Sequence, residues 1–294
     1  MAYHCLLLLM ANLLIAFSWG QSQHTMPGII GDDDRLFFLS DQDTPEFFSH
    51  IGPLIFQGSS RKSYCTAVAL SPRILLTAAH CLIEDTQNFH HSLSSTRFFP
   101  RTSIPDVQDI SWNQGLPVTH YCHGGYNEHH LGTIVDTYKD YAFVILKSPQ
   151  QQFQTLPFVL STQPVASNRS LFMAASTFFN HSEAYELALS LNGQTRPRPK
   201  HWAMYEQSFD HLFIHTVDAP SGTSGAPLFY YSRETESTDQ RPRLIGISTA
   251  ACLDDPVNLG LDFYYIKDEF QALQSAVDSD QIEQYLDTHS THCQ

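Results

Sequence analysis

Short apolar runs separated by polar, Gly- and Pro-containing segments recur along the chain between residues 51 and 261. They are rich in β-branched and aromatic residues, which is typical of buried β-strands. The clearest runs are GPLIFQG, AVAL, ILLTAA, YAFVIL, LFIHTV, APLFYY and RLIGIST. Helical periodicity is weak throughout this region, so the pattern predicts an all-β body.

A helical pattern follows this body near the end of the sequence. Apolar side chains recur there on one or two helical faces, and they are Phe270, Leu273, Val277, Ile282, Tyr285 and Leu286. Asp278 or Ser279 is suited to cap a break between two short helices. The sequence predicts a terminal helix over about residues 267–288.

The first twenty residues form an uncharged apolar run that ends in small residues and is followed by a polar segment. This pattern is typical of a secretory signal peptide, although its start lacks Lys and Arg. A membrane anchor is the competing interpretation, but the run barely reaches the length that spans a bilayer. We therefore expect residues 1–20 to be a signal peptide and the product to be secreted, extracellular and without stable membrane association.

Composition and charge narrow the class of protein further. The 294 residues are 42% hydrophobic and 16% charged, which is ordinary for a globular chain with a substantial core. Thirty acidic against sixteen basic residues give a formal net charge of -14. Such a surface repels nucleic-acid phosphates, so a nucleic-acid partner is excluded.

Five cysteines lie outside the predicted signal peptide, and their number is odd. Cys65 and Cys81 flank two short apolar stretches joined by a turn-like Ser-Pro-Arg, and a hairpin would bring them together. A disulfide between them would fit an oxidising compartment. The sequence leaves the partners of Cys122, Cys252 and Cys293 open.

Two stretches carry candidate residues for nucleophilic catalysis. The segment DAPSGTSGAPLF places Ser221 and Ser224 among glycines and prolines. A serine hydroxyl attacks a carbonyl only when a base takes its proton and donors stabilise the oxyanion. His80 is the candidate base, because it ends an apolar run and abuts Cys81, so a strand end and a disulfide would hold its ring.

These stretches resemble a known family. LTAAHC at residues 76–81, with a cysteine fifteen positions before the histidine, resembles the histidine box of trypsin-like serine proteases. GTSGAP at residues 222–227 resembles their nucleophile box. KDYAFVILKSP at residues 139–149 supplies the aspartate that opens an apolar strand between the two boxes in that family.

The resemblance implies a catalytic triad of His80, Asp140 and Ser224, in that order along the chain. The residues are 60 and 84 positions apart. Asp109 and Asp136 are alternatives to Asp140, but neither directly precedes so clear a strand-like run.

The same resemblance implies an oxyanion hole formed by the backbone N–H groups of Gly222 and Ser224. Glycine permits the unusual backbone geometry that such a loop needs. Ser221 is the other serine of the segment. It lacks a glycine two positions before it, so we interpret it as a loop hydroxyl.

Within the family, IIGDDDRLFF from Ile29, DYAFVIL and HTVDAPSGTSGAPLF are similar to the glutamyl endopeptidase group. The resemblance covers roughly residues 29–266. It implies two six-stranded antiparallel β-barrels of the chymotrypsin type, with the triad in the cleft between them. We expect one protease domain over residues 29–294, with an N-terminal barrel over about 29–150 and a C-terminal barrel over about 151–266.

The N-terminal region departs from the vertebrate digestive members of the family. They carry an aspartate, which pairs with the new N-terminus, where this chain has Thr223, so that activation switch is expected to be absent. The similarity around Ile29 still predicts cleavage before that residue and a short propeptide over residues 21–28. A frayed terminus is the alternative interpretation of this segment.

Substrate specificity rests on a few positions. Asp218 lies six residues before Ser224, where trypsin carries the aspartate that binds Arg or Lys side chains. Members of the glutamyl group also carry aspartate in this segment, so a structural role is the alternative. Ser248 stands where that group usually has histidine, and with Thr249 it predicts a small, mildly polar pocket wall.

The segment HYCHGGYNEHH, residues 120–130, combines four histidines and a cysteine, which can bind zinc. Its spacing matches no strong metal signature, so we interpret it as a surface loop and expect no metal and no cofactor.

We expect a secreted serine endopeptidase that hydrolyses protein or peptide substrates through an acyl-enzyme. Two alternatives stay open: a catalytically silent homologue that acts as a binding module, and an esterase that uses the same triad.

Overall fold

The computed structural model describes residues 30, 35–38, 45–57, 62–84, 89–90, 92–100, 112–126, 134–178, 185–197, 210–220, 222–231, 240–251 and 257–294. The predicted signal peptide and propeptide, Asp109, Ser221 and Cys252 lie outside these residues.

Strands make up most of the regular secondary structure among the described residues. The strands are β1 Leu36–Phe38, β2 Ile51–Gln57, β3 Lys62–Ala69, β4 Ile74–Thr77, β5 Ile83–Glu84, β6 Phe89–His90, β7 Thr96–Phe98, β8 Leu116–His123, β9 Ala142–Leu146, β10 Val159–Leu160, β11 Ser170–Phe178, β12 Tyr185–Arg196, β13 Leu212–His215, β14 Pro227–Tyr230, β15 Arg243–Ala251 and β16 Asn258–Asp262. The α-helices are α1 Phe263–Asp278 and α2 Ile282–Thr288, and short 3-10 helices span Glu46–His50, Ala79–Cys81, Leu93–Ser95, Trp112–Gln114, Ile134–Lys139 and Gln151–Phe153.

Two antiparallel barrels organise these strands. The first barrel is closed in the order β2-β3-β4-β9-β8-β7. The second runs in the order β12-β11-β14-β15-β16-β13 and closes where Thr195 of β12 pairs with His215 of β13. β1 adds to the edge of β12, and β10 runs parallel to β15. This confirms the predicted fold class of two six-stranded β-barrels.

The uninterrupted apolar runs follow from burial on both faces of the strands. In β9, Val144 points into the first barrel, whereas Phe143 and Ile145 join the large core shared by both barrels. In β14, Leu228 points into the second barrel, and Phe229 joins the shared core. Successive side chains of a strand face opposite sides, so strands buried on both sides carry apolar residues at every position.

The C-terminal helices complete the shared core. α1 begins four residues before the predicted start at 267, because the Asp262 carboxylate accepts a hydrogen bond from the N–H of Tyr264 at 2.9 Å and caps the helix. Its buried face contributes Phe263, Ile266, Phe270, Leu273 and Val277 to the core. Asp280 has a left-handed φ of 57° and interrupts the helical conformation between α1 and α2.

Residues 292–294 pair alongside β8 through an isolated antiparallel bridge. The N–H of Tyr121 donates to the carbonyl of Gln294, and the N–H of Gln294 donates back to Tyr121. A disulfide joins Cys122 to Cys293 across this pairing. His120–His123 therefore belong to a strand, and the interpretation of this part of the histidine-rich segment as a surface loop is wrong, because cross-strand partners pair its backbone.

No helix among the described residues is long and apolar enough to cross a membrane.

Two histidines lie inside the core and stay neutral at physiological pH. His50 follows Ser49, whose hydroxyl lies 2.8 Å from its Nδ1, and packs against the rings of Phe153 and Phe158. His215 is fully buried in β13. Burial lowers the pKa of each imidazole from 6.5 to about 4.

We expect the free energy of unfolding to fall as the pH drops from about 6.5 towards 4. In that window the unfolded chain binds a proton at each histidine and the folded chain does not. Each should remove about 2 to 3 kcal/mol by pH 4.5. Urea titrations at pH 7 and pH 4.5 measure this loss.

His50→Gln should make the difference between the two pH values smaller by that amount. His289→Gln is the matched control, because His289 is exposed. An unchanged difference in His50→Gln would contradict the expectation.

Candidate active site

His80 lies in the 3-10 turn Ala79–Cys81, directly after the buried strand β4. Only 9% of the residue is exposed. A disulfide between Cys81 and Cys65 ties this turn to β3. The strand end and the disulfide hold His80 in one place, which is what a proton-transfer group requires.

Asp140 lies two residues before the start of β9, and it is fully buried. One carboxylate oxygen lies 2.7 Å from Nδ1 of His80, and the other accepts the backbone N–H of His80 at 2.9 Å. The carboxylate holds the proton on Nδ1 and leaves the Nε2 lone pair available. Asp136 lies in the preceding 3-10 helix, and Asp140 is the carboxylate that contacts His80.

Ser224 lies in a loop that is hydrogen-bonded to β3 of the other barrel. The N–H of Thr66 donates to the carbonyl of Ser224 at 2.9 Å, and the Thr66 hydroxyl donates to the carbonyl of Gly222 at 2.9 Å. The Thr77 hydroxyl, at the end of β4, donates to the carbonyl of Thr66 at 2.8 Å. These bonds connect the Ser224 loop to the strand that ends beside His80.

Close packing shows how near the two segments lie. A Cβ on Gly225 would collide with the Thr77 hydroxyl and the Thr66 carbonyl, and it would lie 2.8 Å from the N–H nitrogen of Ala78. Gly225 also has φ of 79°, which favours glycine. The residue after Ser224 thus touches the chain two positions before His80. The Ser224 hydroxyl itself makes no hydrogen bond to the described residues.

The loop leaves two backbone N–H groups available as donors. The N–H groups of Thr223, Gly225 and Ala226 bond to backbone carbonyls. Those of Gly222 and Ser224 have no acceptor in the described part of the chain. Gly222 has φ of 93°, and the Tyr64 ring fills the space where a side chain would be. These are the two groups predicted to form an oxyanion hole.

Asp218 is 3% exposed, and its carboxylate accepts the backbone N–H of Ile30 at 2.7 Å. The Ser190 hydroxyl accepts the N–H of Asp218 at 3.1 Å. Thr223 stands where the vertebrate digestive proteases carry their aspartate. Its hydroxyl donates a hydrogen bond to the carbonyl of Pro220. Ile30 of the N-terminal segment therefore contacts Asp218, six residues before Ser224, and the sequence did not predict this contact.

Ser248 and Thr249 lie in β15, and each is 3% exposed. Ser248 is paired through its backbone with the Ser224 loop: its carbonyl accepts from Gly225 and its N–H donates to Ala226, each at 2.8 Å. The Thr249 hydroxyl donates to the carbonyl of Leu259 at 3.3 Å. Both residues thus lie on the strand beside the Ser224 loop.

Comparisons with known proteins identify the family of the chain and support its fold. A family model described as Trypsin matches residues 46–264. A solved structure titled "Structure of Glu endopeptidase in complex with MPD" superposes with a TM-score of 0.60 at 16% sequence identity, over 84% of this chain and 99% of that chain. Curated protein sequences give no significant match.

The chain belongs to the trypsin family, and it is a serine-type endopeptidase. The predicted resemblance to trypsin-like serine proteases is confirmed, and the fold is similar to that of the solved Glu endopeptidase.

Removing the Thr66 hydroxyl should slow turnover. Thr66→Val keeps the shape of the buried side chain but leaves the carbonyl of Gly222 without its donor, and an unmet buried acceptor costs about 1 to 3 kcal/mol. We expect kcat to fall about tenfold, corresponding to about 1.4 kcal/mol. Initial rates on a peptide ester measure this change.

Thr66→Ser is the matched control, since it keeps the hydroxyl and should retain most of the activity. Equal kcat values for the valine and serine variants would contradict a role for this hydrogen bond.

Proposed function

We propose that this protein is a secreted endopeptidase in which His80, Asp140 and Ser224 form the catalytic triad. The observation that carries the proposal is the 2.7 Å contact between the Asp140 carboxylate and His80 Nδ1, next to the loop of Ser224. Burial of the pair excludes water that would compete for these hydrogen bonds.

The proposed reaction uses each group in one role. His80 Nε2 takes the proton of Ser224, whose oxygen attacks the substrate carbonyl. Asp140 stabilises the imidazolium through Nδ1. The N–H groups of Gly222 and Ser224 stabilise the oxyanion. His80 then protonates the leaving amine, and water hydrolyses the acyl-enzyme by the same steps in reverse order.

Two observations support secretion. The signal peptide predicted over residues 1–20 would direct export, and the described residues contain two disulfides, which persist in oxidising compartments. A secreted endopeptidase would act on protein or peptide substrates outside the cell.

Replacing single triad residues tests the proposed roles. Asp140→Asn keeps the size of the side chain but favours the wrong tautomer of His80, and we expect kcat to fall about 10⁴-fold. Ser224→Ala should remove all acyl-enzyme formation. A diverse peptide library, with cleavage sites read by mass spectrometry, measures both variants beside the wild type.

The same experiment separates the alternatives. Cuts that persist in Ser224→Ala would exclude it as the nucleophile. Hydrolysis of a small ester but of no peptide would favour an esterase. A folded wild-type protein that hydrolyses neither substrate would favour a binding module.

For substrate specificity, we propose that Asp218 anchors the N-terminal segment and does not select basic residues. Its carboxylate already accepts the N–H of Ile30. Ser248 and Thr249 would then provide the small, mildly polar wall of the pocket, which suits small neutral side chains before the scissile bond.

Two variants of Asp218 distinguish an anchor from a selector. Asn keeps an acceptor for Ile30 and removes the charge, whereas Ala removes both. An anchor predicts unchanged residue preference in both variants and a Tm lower by about 2 to 4 °C in Asp218→Ala, for a loss of about 1 kcal/mol.

A selector predicts that the wild type cuts after Arg or Lys and that both variants lose this preference. That result, read from the same peptide library, would contradict the anchoring role.

A further inference from the structure

A cluster of three metal-ligating side chains lies at the proposed active site. The Sγ atoms of Cys65 and Cys81 and a ring nitrogen of His80 all lie within 4.8 Å of one another. The two sulfurs are joined in a disulfide, so in this state they are not metal ligands. Once reduced, two thiolates and one imidazole are a donor set that zinc and other soft divalent metals prefer.

His80 is already oriented as a ligand. Its Nδ1 contacts the Asp140 carboxylate at 2.7 Å, and its backbone N–H donates to the same carboxylate. Metal-bound histidines usually donate their second N–H to a carboxylate, which fixes the tautomer and raises the basicity of the ligating nitrogen. Here Nδ1 has that role, so Nε2 is the nitrogen left to bind a metal.

The surroundings favour a neutral metal complex. Cys65, His80 and Cys81 are between 5% and 9% exposed, and an uncompensated charge at such a site is costly. A divalent cation with two thiolates and one neutral imidazole carries no net charge. Three protein ligands also leave one coordination position open.

We propose that the dithiol form of this protein binds Zn²⁺ between Cys65, Cys81 and His80, and that the bound metal blocks catalysis. A dithiol reductant gives two electrons and two protons to the S–S bond and is oxidised to its own disulfide. Zn²⁺ then replaces the two thiol protons, which leave to solvent. Disulfide and metal exclude each other because both use the same two sulfurs.

The blocking of catalysis rests on the proposed function. The Nε2 lone pair that binds the metal is the one that would take the Ser224 proton, so His80 cannot serve both. A newly made chain holds the dithiol until it is oxidised, and it can bind zinc during that time. Formation of the Cys65–Cys81 disulfide then removes the metal site and releases His80.

Metal binding can be tested without activity. The full-length Ser224→Ala protein is reduced with a phosphine, which becomes phosphine oxide with oxygen from water, and is titrated with Co²⁺ as a spectroscopic probe. We expect one Co²⁺ per chain, with thiolate-to-metal charge-transfer absorption and the visible bands of a tetrahedral site. The oxidised protein should show neither.

Variants locate the site. Cys65→Ser with Cys81→Ser should remove the charge-transfer band, whereas Cys122→Ser with Cys293→Ser should keep it. His80→Ala retains both thiols and should lower Co²⁺ affinity at least tenfold, which serves as a second test if the serine pair does not fold. A band that is absent from the reduced protein, or that survives in Cys65→Ser with Cys81→Ser, would overturn the proposal.

An activity measurement separates this proposal from the proposed function. Reduced, folded wild-type protein should lose at least 90% of its peptidase activity with one equivalent of Zn²⁺ and regain it with a chelator. If Co²⁺ binds as expected but Zn²⁺ leaves peptide cleavage unchanged, the metal site stands and the role of His80 as the base is wrong.

Discussion

Three consecutive residues of β3 hold the two halves of the site together. Thr66 hydrogen-bonds the loop of Ser224 through its backbone and its hydroxyl, and Tyr64 packs beneath the same loop. Cys65, between them, forms a disulfide with Cys81, the residue that follows His80. One strand of the first barrel thus positions the Ser224 loop of the second barrel and His80 of its own barrel. A small shift of β3, whose residues 64–69 are buried, would move both groups.

Much of the fold could be predicted because local apolar runs coincide with strands buried on both faces. YAFVIL became β9 and RLIGIST lies within β15, since each alternate side chain finds a core on its own side of the sheet. The proximity of His80 and Asp140 followed from motif resemblance and not from periodicity. Their 60-residue separation carries no local signal, so only knowledge of the family links them before the structure does.

Other features could not be predicted because they join distant residues without a pattern. The hydrogen bond from Ile30 to Asp218 spans 188 residues. Likewise, His120–His123 read as a loop because histidine and glycine dominate the segment, yet pairing with β9 and with residues 292–294 makes it a strand. Tertiary pairing overrides weak local propensity in such cases.

The bond between Cys122 and Cys293 also imposes an order on biosynthesis. Its two cysteines are 171 residues apart, so at ordinary translation rates Cys122 waits roughly 10 to 30 s for its partner to be made. Cys65 and Cys81, only 16 residues apart, are both present before Cys122 emerges. The pairing of β8 with residues 292–294 therefore forms after the strands of both barrels have been made. A chain truncated before residue 293 would therefore contain the strands of both barrels but leave this side of β8 unpaired.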